Sequence, residues 1–224
     1  MPRTARRLSK TGIYHVMVRG INRQDIFLDK VDRSMYLAKL SVVKERSDCQ
    51  IYAYCLMVNH VHLLIAEGSE TISQVMKRLG CAYVYWYNQK YERIGHLFQD
   101  RFRSEPIDSE AYLLTALRYI HQNPVKAGIV PSCDKFFWSS YRDYISEGKM
   151  AKTLIDTELC LELAGGLQRF VEFHQHQSND DFIDIGNTVR ASDTIAQQLV
   201  QSLLLGRTNR DLLEMPIADR NELL

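Results

Sequence analysis

The spacing of apolar and polar residues along the first 150 positions switches repeatedly between a strand-like and a helix-like period. Residues 12–19, 50–57 and 58–66 are short runs rich in β-branched and aromatic residues, and residues 97–107 alternate well enough for a fourth strand. Residues 32–46, about 71–90 and about 109–123 carry apolar side chains at helical intervals. A residue before proline is disfavoured in helices, so we expect the third helix to end at Asn123, before Pro124.

His60 and His62 occupy alternate positions of the third predicted strand, so both imidazoles point to the same face. Two imidazoles on one rigid face are half of a site for Zn, Mn, Fe or a similar divalent ion. The same pattern also fits two polar residues on the open face of a half-solvated strand, and the spacing alone leaves both interpretations open. His15, in the first predicted strand, is expected to be packed or to support another residue and not to be a ligand itself.

The composition is that of an ordinary globular protein of 224 residues, 46% of them hydrophobic. No apolar run approaches the roughly 20 residues that span a bilayer, and the basic N-terminus precedes no signal-peptide core, so we expect a cytosolic protein. The five cysteines are scattered without a Cys-x-x-Cys pair, which argues against a zinc finger or a disulfide framework.

Charge divides the chain into a basic front and an acidic rear. Residues 1–150 hold 22 Lys and Arg against 15 Asp and Glu, net +7, which leaves 6 against 12, net −6, for residues 151–224. The front has the sign needed to meet phosphates, whereas the rear could serve a partner, an autoinhibitory contact or solubility. We therefore predict a domain at 1–150 and an acidic helical extension at 151–224. The extension would hold helices at about 156–175 and 192–205, and it ends without a helix-ending signal, as a truncated chain would.

Several polar and aromatic groups invite a functional interpretation. Arg101 and Arg103 fall on one face of the fourth predicted strand, where they could grip phosphates or be solvated. His174 and His176 lie in a helical context, where side chains two apart diverge by about 200°, so they do not form a site. Residues 1–10, which are rich in Arg and Lys, are expected to form a loose basic arm, and the tyrosines of the second helix are expected to pack in the core.

Two motifs together carry a resemblance to a known family. The first is Met-Val-Asn-His-Val-His-Leu-Leu at 57–64, and the second is Tyr-Ile-His-Gln-Asn-Pro-Val-Lys-Ala-Gly at 119–128. With Tyr-His-Val at 14–16, Arg-Gly at 19–20 and Gln-Asp-Arg-Phe at 99–102, the chain resembles the REP-associated tyrosine transposases, a group of the HUH-type single-strand transposases. The likeness spans about residues 10–145.

The resemblance implies a fold and a chemistry. The fold is α+β, a ferredoxin-like antiparallel sheet with helices mainly on one face. His60, His62 and Asn123 would bind one divalent ion, Mg or Mn; close relatives have Gln at the third position, so His121 or a water could replace Asn123. Tyr119 would attack single-stranded DNA, leaving a 5′-phosphotyrosine and a free 3′-OH that allow strands to be rejoined without ATP.

Family relatives recognise imperfect hairpins of REP-like palindromes beside a short single-stranded guide. For this chain Arg19, Arg23, Arg101, Arg103 and the basic arm would be the phosphate contacts. A monomer is favoured over the dimer of the small transposon relatives. Two alternatives stay open: a domesticated DNA-hairpin-binding regulatory or structural protein without turnover, and an RNA-binding ferredoxin-like module that stacks bases on its tyrosines.

Overall fold

The computed structural model of the protein describes residues 6–146 and 154–176, and within them it contains four β-strands and six α-helices. Their bounds are β1 Ile13–Arg19, α1 Lys30–Ser47, β2 Gln50–Leu56, β3 His60–Ala66, α2 Ile72–Lys90, β4 Arg103–Pro106, α3 Glu110–Lys126, α4 Tyr141–Ile145, α5 Glu158–Ala164 and α6 Leu167–Gln175.

The four strands form one sheet in the order β2-β3-β1-β4, and every neighbouring pair is antiparallel. This order, with α1 and α2 as the two crossovers, is the predicted ferredoxin-like α+β fold, which is thereby confirmed. The register places His62 across from Met17 and His60 across from Arg19. Residues directly across an antiparallel pair share a face, so these four side chains emerge on the same side of the sheet.

The helices divide between the two faces of the sheet. On one face α1 and α2 pack together, with the rings of Tyr36 and Tyr83 centred 5.0 Å apart. On the other face lies α3, whose Tyr119 ring contacts the rings of His15 and His62. The ferredoxin-like pair of helices thus covers the face opposite the histidines, and α3 covers the histidines themselves.

A side-chain cap begins both α2 and α3. The Thr71 side chain accepts from the backbone N–H of Gln74, and the Ser109 side chain accepts from that of Tyr112. Each bond satisfies one of the backbone donors that the first helical turn leaves open. The Ser109 cap sets where α3 starts and therefore how far along the sheet its later turns lie.

The fourth strand is shorter than the predicted 97–107. It runs from Arg103 to Pro106, and before it only Phe98 makes an isolated bridge, to Gly20. The ladder breaks because the backbone N–H of Gln99 donates to the Arg19 carbonyl at 2.9 Å, a partner that the register of β4 would give to Arg101. On the edge that faces away from β1, the Arg6 guanidinium stacks 3.7 Å from the centre of the Phe102 ring and donates to the Phe102 carbonyl at 3.1 Å. Residues 100–102 are left out of the ladder, so the prediction that Arg101 and Arg103 share a strand face is wrong.

The arm is also more ordered than predicted over its described residues. The backbone N–H of Lys10 donates to Asp108 at 2.9 Å, and the Thr11 hydroxyl donates to the Ile107 carbonyl at 2.5 Å. Lys10 and Thr11 are therefore fastened to the segment that joins β4 to α3.

Helix α3 continues past the predicted end at Asn123 and includes Pro124. A proline near the last turn deletes only one intrahelical donor, so the helix persists to its C-terminus. The remaining carbonyls find partners: that of Asn123 accepts from Ala127 at 3.0 Å and that of Pro124 from Ile129 at 2.9 Å.

The predicted helix at 156–175 is two helices, α5 and α6, because Gly165 and Gly166 adopt φ of 78° and 100° between them. Both helices contact α3. The predicted helix at 192–205 lies outside the described residues, and the division at residue 150 stays a prediction. Among residues 6–146 and 154–176, none of the helices has the length and apolarity that a bilayer crossing requires.

Candidate metal and tyrosine site

The two histidines of β3 lie on one face under α3. Their rings are centred 5.0 Å apart at an interplanar angle of 85°. His60 is 7% exposed and His62 is fully buried. Strand alternation brings the imidazoles together as the sequence indicates, in a setting drier than the open face of a half-solvated strand.

The ring of His60 is oriented by the residue before it. Its Nδ1 lies 2.6 Å from Oδ1 of Asn59, whose amide nitrogen donates to the Arg23 carbonyl at 3.3 Å. That second bond fixes which end of the amide faces His60. Because Oδ1 can only accept, Nδ1 of His60 carries the proton and Nε2 keeps its lone pair. This is the tautomer that a metal ligand bound through Nε2 requires.

The ring of His62 is oriented by His15 of β1. Nδ1 of His62 lies 2.9 Å from Nε2 of His15, and the two rings stack with centres 5.2 Å apart. Burial, followed by the charges of His15 and His60, lowers the pKa of His62 well below its usual range, so the ring is neutral at physiological pH. Its buried Nε2 has no hydrogen-bond partner among the described residues. A buried imidazole nitrogen without a hydrogen bond is suited to a metal ion.

Tyr119 completes this cluster from the helix above. It is 2% exposed, and its ring centre is 5.9 Å from that of His62 and 5.8 Å from that of His15. The ammonium of Lys126 lies 4.8 Å from the centre of the Tyr119 ring, within cation–π range. A phenol, a cation and two oriented imidazoles therefore meet between α3 and the sheet.

A third metal ligand beside His60 and His62 would have to be a residue other than His, Cys, Asp or Glu. The described residues contain no group of three or more His, Cys, Asp or Glu that could hold a metal ion. Asn123 is buried one helical turn after Tyr119 and shares its side of α3. His121 cannot serve as the alternative, because its two ring nitrogens already bond His174 at 3.0 Å and Ser140 at 2.8 Å.

The four candidate arginines fall into separate groups. Arg19 lies across from His60, and Arg103 across from Met17, so both emerge on the histidine face of the sheet. Arg23 is exposed in the turn whose carbonyl holds Asn59. Arg101 lies outside the sheet.

Arg101 instead lines a cavity of about 770 Å³ between α2 and residues 96–102. Arg6 and Lys77 line it too, as does Val18, which points away from the histidine face. Burial and the charge of Arg101 lower the pKa of Arg6. This second basic area is separate from the one that Arg19 and Arg103 form.

Sequence reasoning missed Asn59 and left the role of His15 open. A signal for Asn59 was its place in the turn directly before His60, where a short amide reaches the neighbouring side chain. For His15 the signal was its alternation with Met17 and Arg19 in β1, which becomes informative only when the register with β3 is known.

Comparison with known proteins identifies the family to which the chain belongs. The model of a family described as IS200-like transposase matches residues 9–123, which include all of β1 to β4 and Tyr119. No curated protein matches the sequence significantly.

Two solved structures resemble the chain. One is a REP-associated tyrosine transposase bound to a REP hairpin, 21% identical, with a TM-score of 0.55 over 71% of this chain and 96% of that one. The other is a candidate transposase from Deinococcus radiodurans R1, 16% identical, with a TM-score of 0.38 over 56% of this chain and 97% of that one. The first likeness supports the fold described above.

Proposed function

Since this chain belongs to the IS200-like transposase family, we propose that it is a metal-dependent endonuclease and strand transferase that cuts single-stranded DNA next to hairpins and rejoins it. The observation that carries the proposal is the contact of the Tyr119 ring with the rings of His62 and His15 in one buried cluster. A phenol held beside oriented imidazoles is an arrangement for covalent phosphoryl chemistry.

Tyr119 would be the nucleophile. Its phenolic oxygen forms a bond to the scissile phosphorus, and the bond from phosphorus to the 3′ oxygen breaks. The phenol loses a proton and the leaving 3′ oxygen gains one, so the products are a 5′-phosphotyrosine and a free 3′-OH. Attack by the 3′-OH of another strand reverses the same steps and joins DNA without ATP.

His60, His62 and Asn123 would hold the divalent ion, Mg or Mn. When bound, the ion would supply Lewis acidity to a phosphate oxygen and offset its charge. The fit rests on the tautomer that Asn59 imposes on His60 and on the buried Nε2 of His62.

A hairpin-bearing strand is the proposed substrate because the solved relative with this fold is bound to a REP hairpin. Arg19 and Arg103 would contact phosphates close to the cut, since both lie on the histidine face. Arg23 and Arg101 would contact phosphates further away. Such contacts are electrostatic, so DNA binding should weaken steeply with salt.

The proposal is tested by incubating the protein with labelled hairpin-bearing single-stranded DNA and Mn²⁺ or Mg²⁺, then separating products on a denaturing gel. Wild type should form a protein–DNA adduct and Tyr119→Phe should form none. Tyr112→Phe is the matched control, since it removes a hydroxyl from the same helix, one bonded to Glu105; it should retain the adduct. DNA binding without an adduct in wild type would overturn the enzyme and favour the domesticated hairpin binder.

A further inference from the structure

Two buried polar residues, His121 and Gln122, lie between Tyr119 and Asn123 along α3. Their hydrogen bonds run to α6 and to Ser140 and not to His60 or His62. His121 is fully buried and Gln122 is 5% exposed. His121 lies about 200° around the helix from Tyr119. Both residues bind α6, so the side chains that follow the nucleophile in sequence are held by the described part of the C-terminal extension.

His121 takes part in a chain of hydrogen bonds whose direction can be deduced. Nδ1 of His174 lies 2.8 Å from the Phe170 carbonyl, which can only accept, so Nε2 of His174 has the lone pair and accepts from Nδ1 of His121 at 3.0 Å. Nε2 of His121 then accepts from the Ser140 hydroxyl at 2.8 Å.

This series of hydrogen bonds continues from Ser140 to strand β2. The Ser140 oxygen accepts from the backbone N–H of Tyr54 in β2 at 2.9 Å. The Ser140 hydroxyl can donate to His121 at 2.8 Å or to the Tyr54 carbonyl at 3.3 Å, and the shorter contact is the one to His121. The bonds therefore run from β2 through Ser140 and α3 to α6.

Gln122 adds a second attachment. Its amide nitrogen donates to the carbonyls of His174 and His176, both at 2.8 Å. These carbonyls belong to the C-terminal end of α6, where the helix offers no N–H of its own. One side chain thus satisfies two acceptors and fixes α6 to the turn of α3 that follows Tyr119.

We propose that His121 and Gln122 are positioning residues for the transposase reaction: with α6 of the same chain they form a clamp that sets where α3 holds Tyr119 and Asn123 above the histidines. The inference rests on the function proposed above and adds to it that residues 154–176 complete the site in cis. His121 lies on the other side of the helix from the nucleophile, and the amide of Gln122 is held by two carbonyls at the end of α6, so neither residue is assigned a contact with DNA.

The expected effect follows from the sensitivity of chemistry to placement. A displacement of about 1 Å can lower a rate on the order of 100-fold. Loss of one clamp residue should therefore lower the rate of adduct formation by roughly 10- to 100-fold, while the dissociation constant for DNA changes by less than about twofold, because the phosphate contacts are elsewhere.

The test uses Gln122→Met, which keeps the length and removes the donor, and His121→Asn, which keeps a donor near Nδ1 and removes the contact with Ser140. Gln168→Met is the matched control, since Gln168 is exposed on α6 and bonds only Glu172 among the contacts described for it. For each full-length protein we would measure the melting temperature, the single-turnover rate of adduct formation with Mn²⁺, and DNA binding in EDTA. A 3-fluorotyrosine introduced at position 119 would report the ring by fluorine NMR without DNA.

The clamp predicts slow chemistry, unchanged DNA binding, and a broadened or split fluorine resonance in both clamp variants, with the control like wild type. Rates within about twofold of wild type and an unchanged resonance in folded variants would overturn it. Failure of both variants to fold at any temperature would also overturn it, because a positioning role requires a folded protein with a misplaced tyrosine. If wild type itself forms no adduct, the proposed function fails, and the fluorine resonance still decides the clamp.

Discussion

The contact between His15 and His62 makes a quantitative prediction about metal binding. Replacing His15 by Leu removes the hydrogen-bond partner that Nδ1 of His62 has in the described part of the chain, at 2.9 Å in a fully buried setting. A ligand bound through Nε2 carries its proton on Nδ1, so in the variant that donor is buried and unsatisfied whenever the metal is bound. We therefore expect weaker binding of Mn²⁺.

The magnitude can be bounded in two ways. A buried donor left without an acceptor costs about 1–3 kcal/mol, or roughly 5- to 150-fold in a dissociation constant. Loss of a group that orients a metal ligand typically weakens affinity about 10- to 100-fold. The two ranges overlap, so we predict that His15→Leu raises the dissociation constant for Mn²⁺ by roughly 10- to 100-fold.

The assay is a calorimetric or paramagnetic-resonance titration with Mn²⁺, paired with adduct rates at rising Mn²⁺ concentration. His15→Gln offers Oε1 near the position of Nε2, so it should recover most of the affinity. His96→Leu changes an exposed histidine and should bind like wild type. A folded His15→Leu protein that binds Mn²⁺ as tightly as wild type would refute the reasoning, whereas a rate restored by high Mn²⁺ would support it.

Three further predictions test other parts of the account. Because α3 is bonded to α6 of its own chain, and through Ser140 to β2, mixing Tyr119→Phe with His60→Ala should restore no adduct; restored activity would mean that subunits exchange the helix. Arg103→Gln should weaken binding of single-stranded DNA and lower the slope of log affinity against log salt by about 0.7, and an unchanged slope would exclude a phosphate contact. Burial lowers the pKa of His174 to about 4, below its value of about 6.5 when exposed, so the unfolded state binds the extra proton between these pH values. Urea unfolding should therefore show wild type losing up to ~3 kcal/mol as pH falls from 6.5 to 4, and His174→Gln losing clearly less; equal losses would contradict a neutral buried His174.

The parts of the fold that short-range patterns control were predictable. Strand alternation placed His60 and His62 on one face, and apolar residues at helical intervals predicted α2 and α3 close to their observed starts. The family motifs identified Tyr119 and Asn123 as candidates. These features depend on residues within a few positions of one another.

The features that prediction missed depend on distant contacts. β4 is short because the N–H of Gln99 donates to the carbonyl of Arg19, 80 positions earlier in the chain, which leaves residues 100–102 out of the ladder. The link between His15 and His62 exists only through the register of β1 with β3. The bond of His174 to His121 follows from the packing of α6 on α3, which no local spacing encodes.

The most direct measurement is mass spectrometry of the covalent adduct after proteolysis. The account predicts one modified peptide, with the DNA joined through its 5′ phosphate to Tyr119 and a free 3′-OH on the other fragment. A DNA adduct on another residue, a 3′ linkage, or cleavage that leaves no covalent peptide would contradict the central claim.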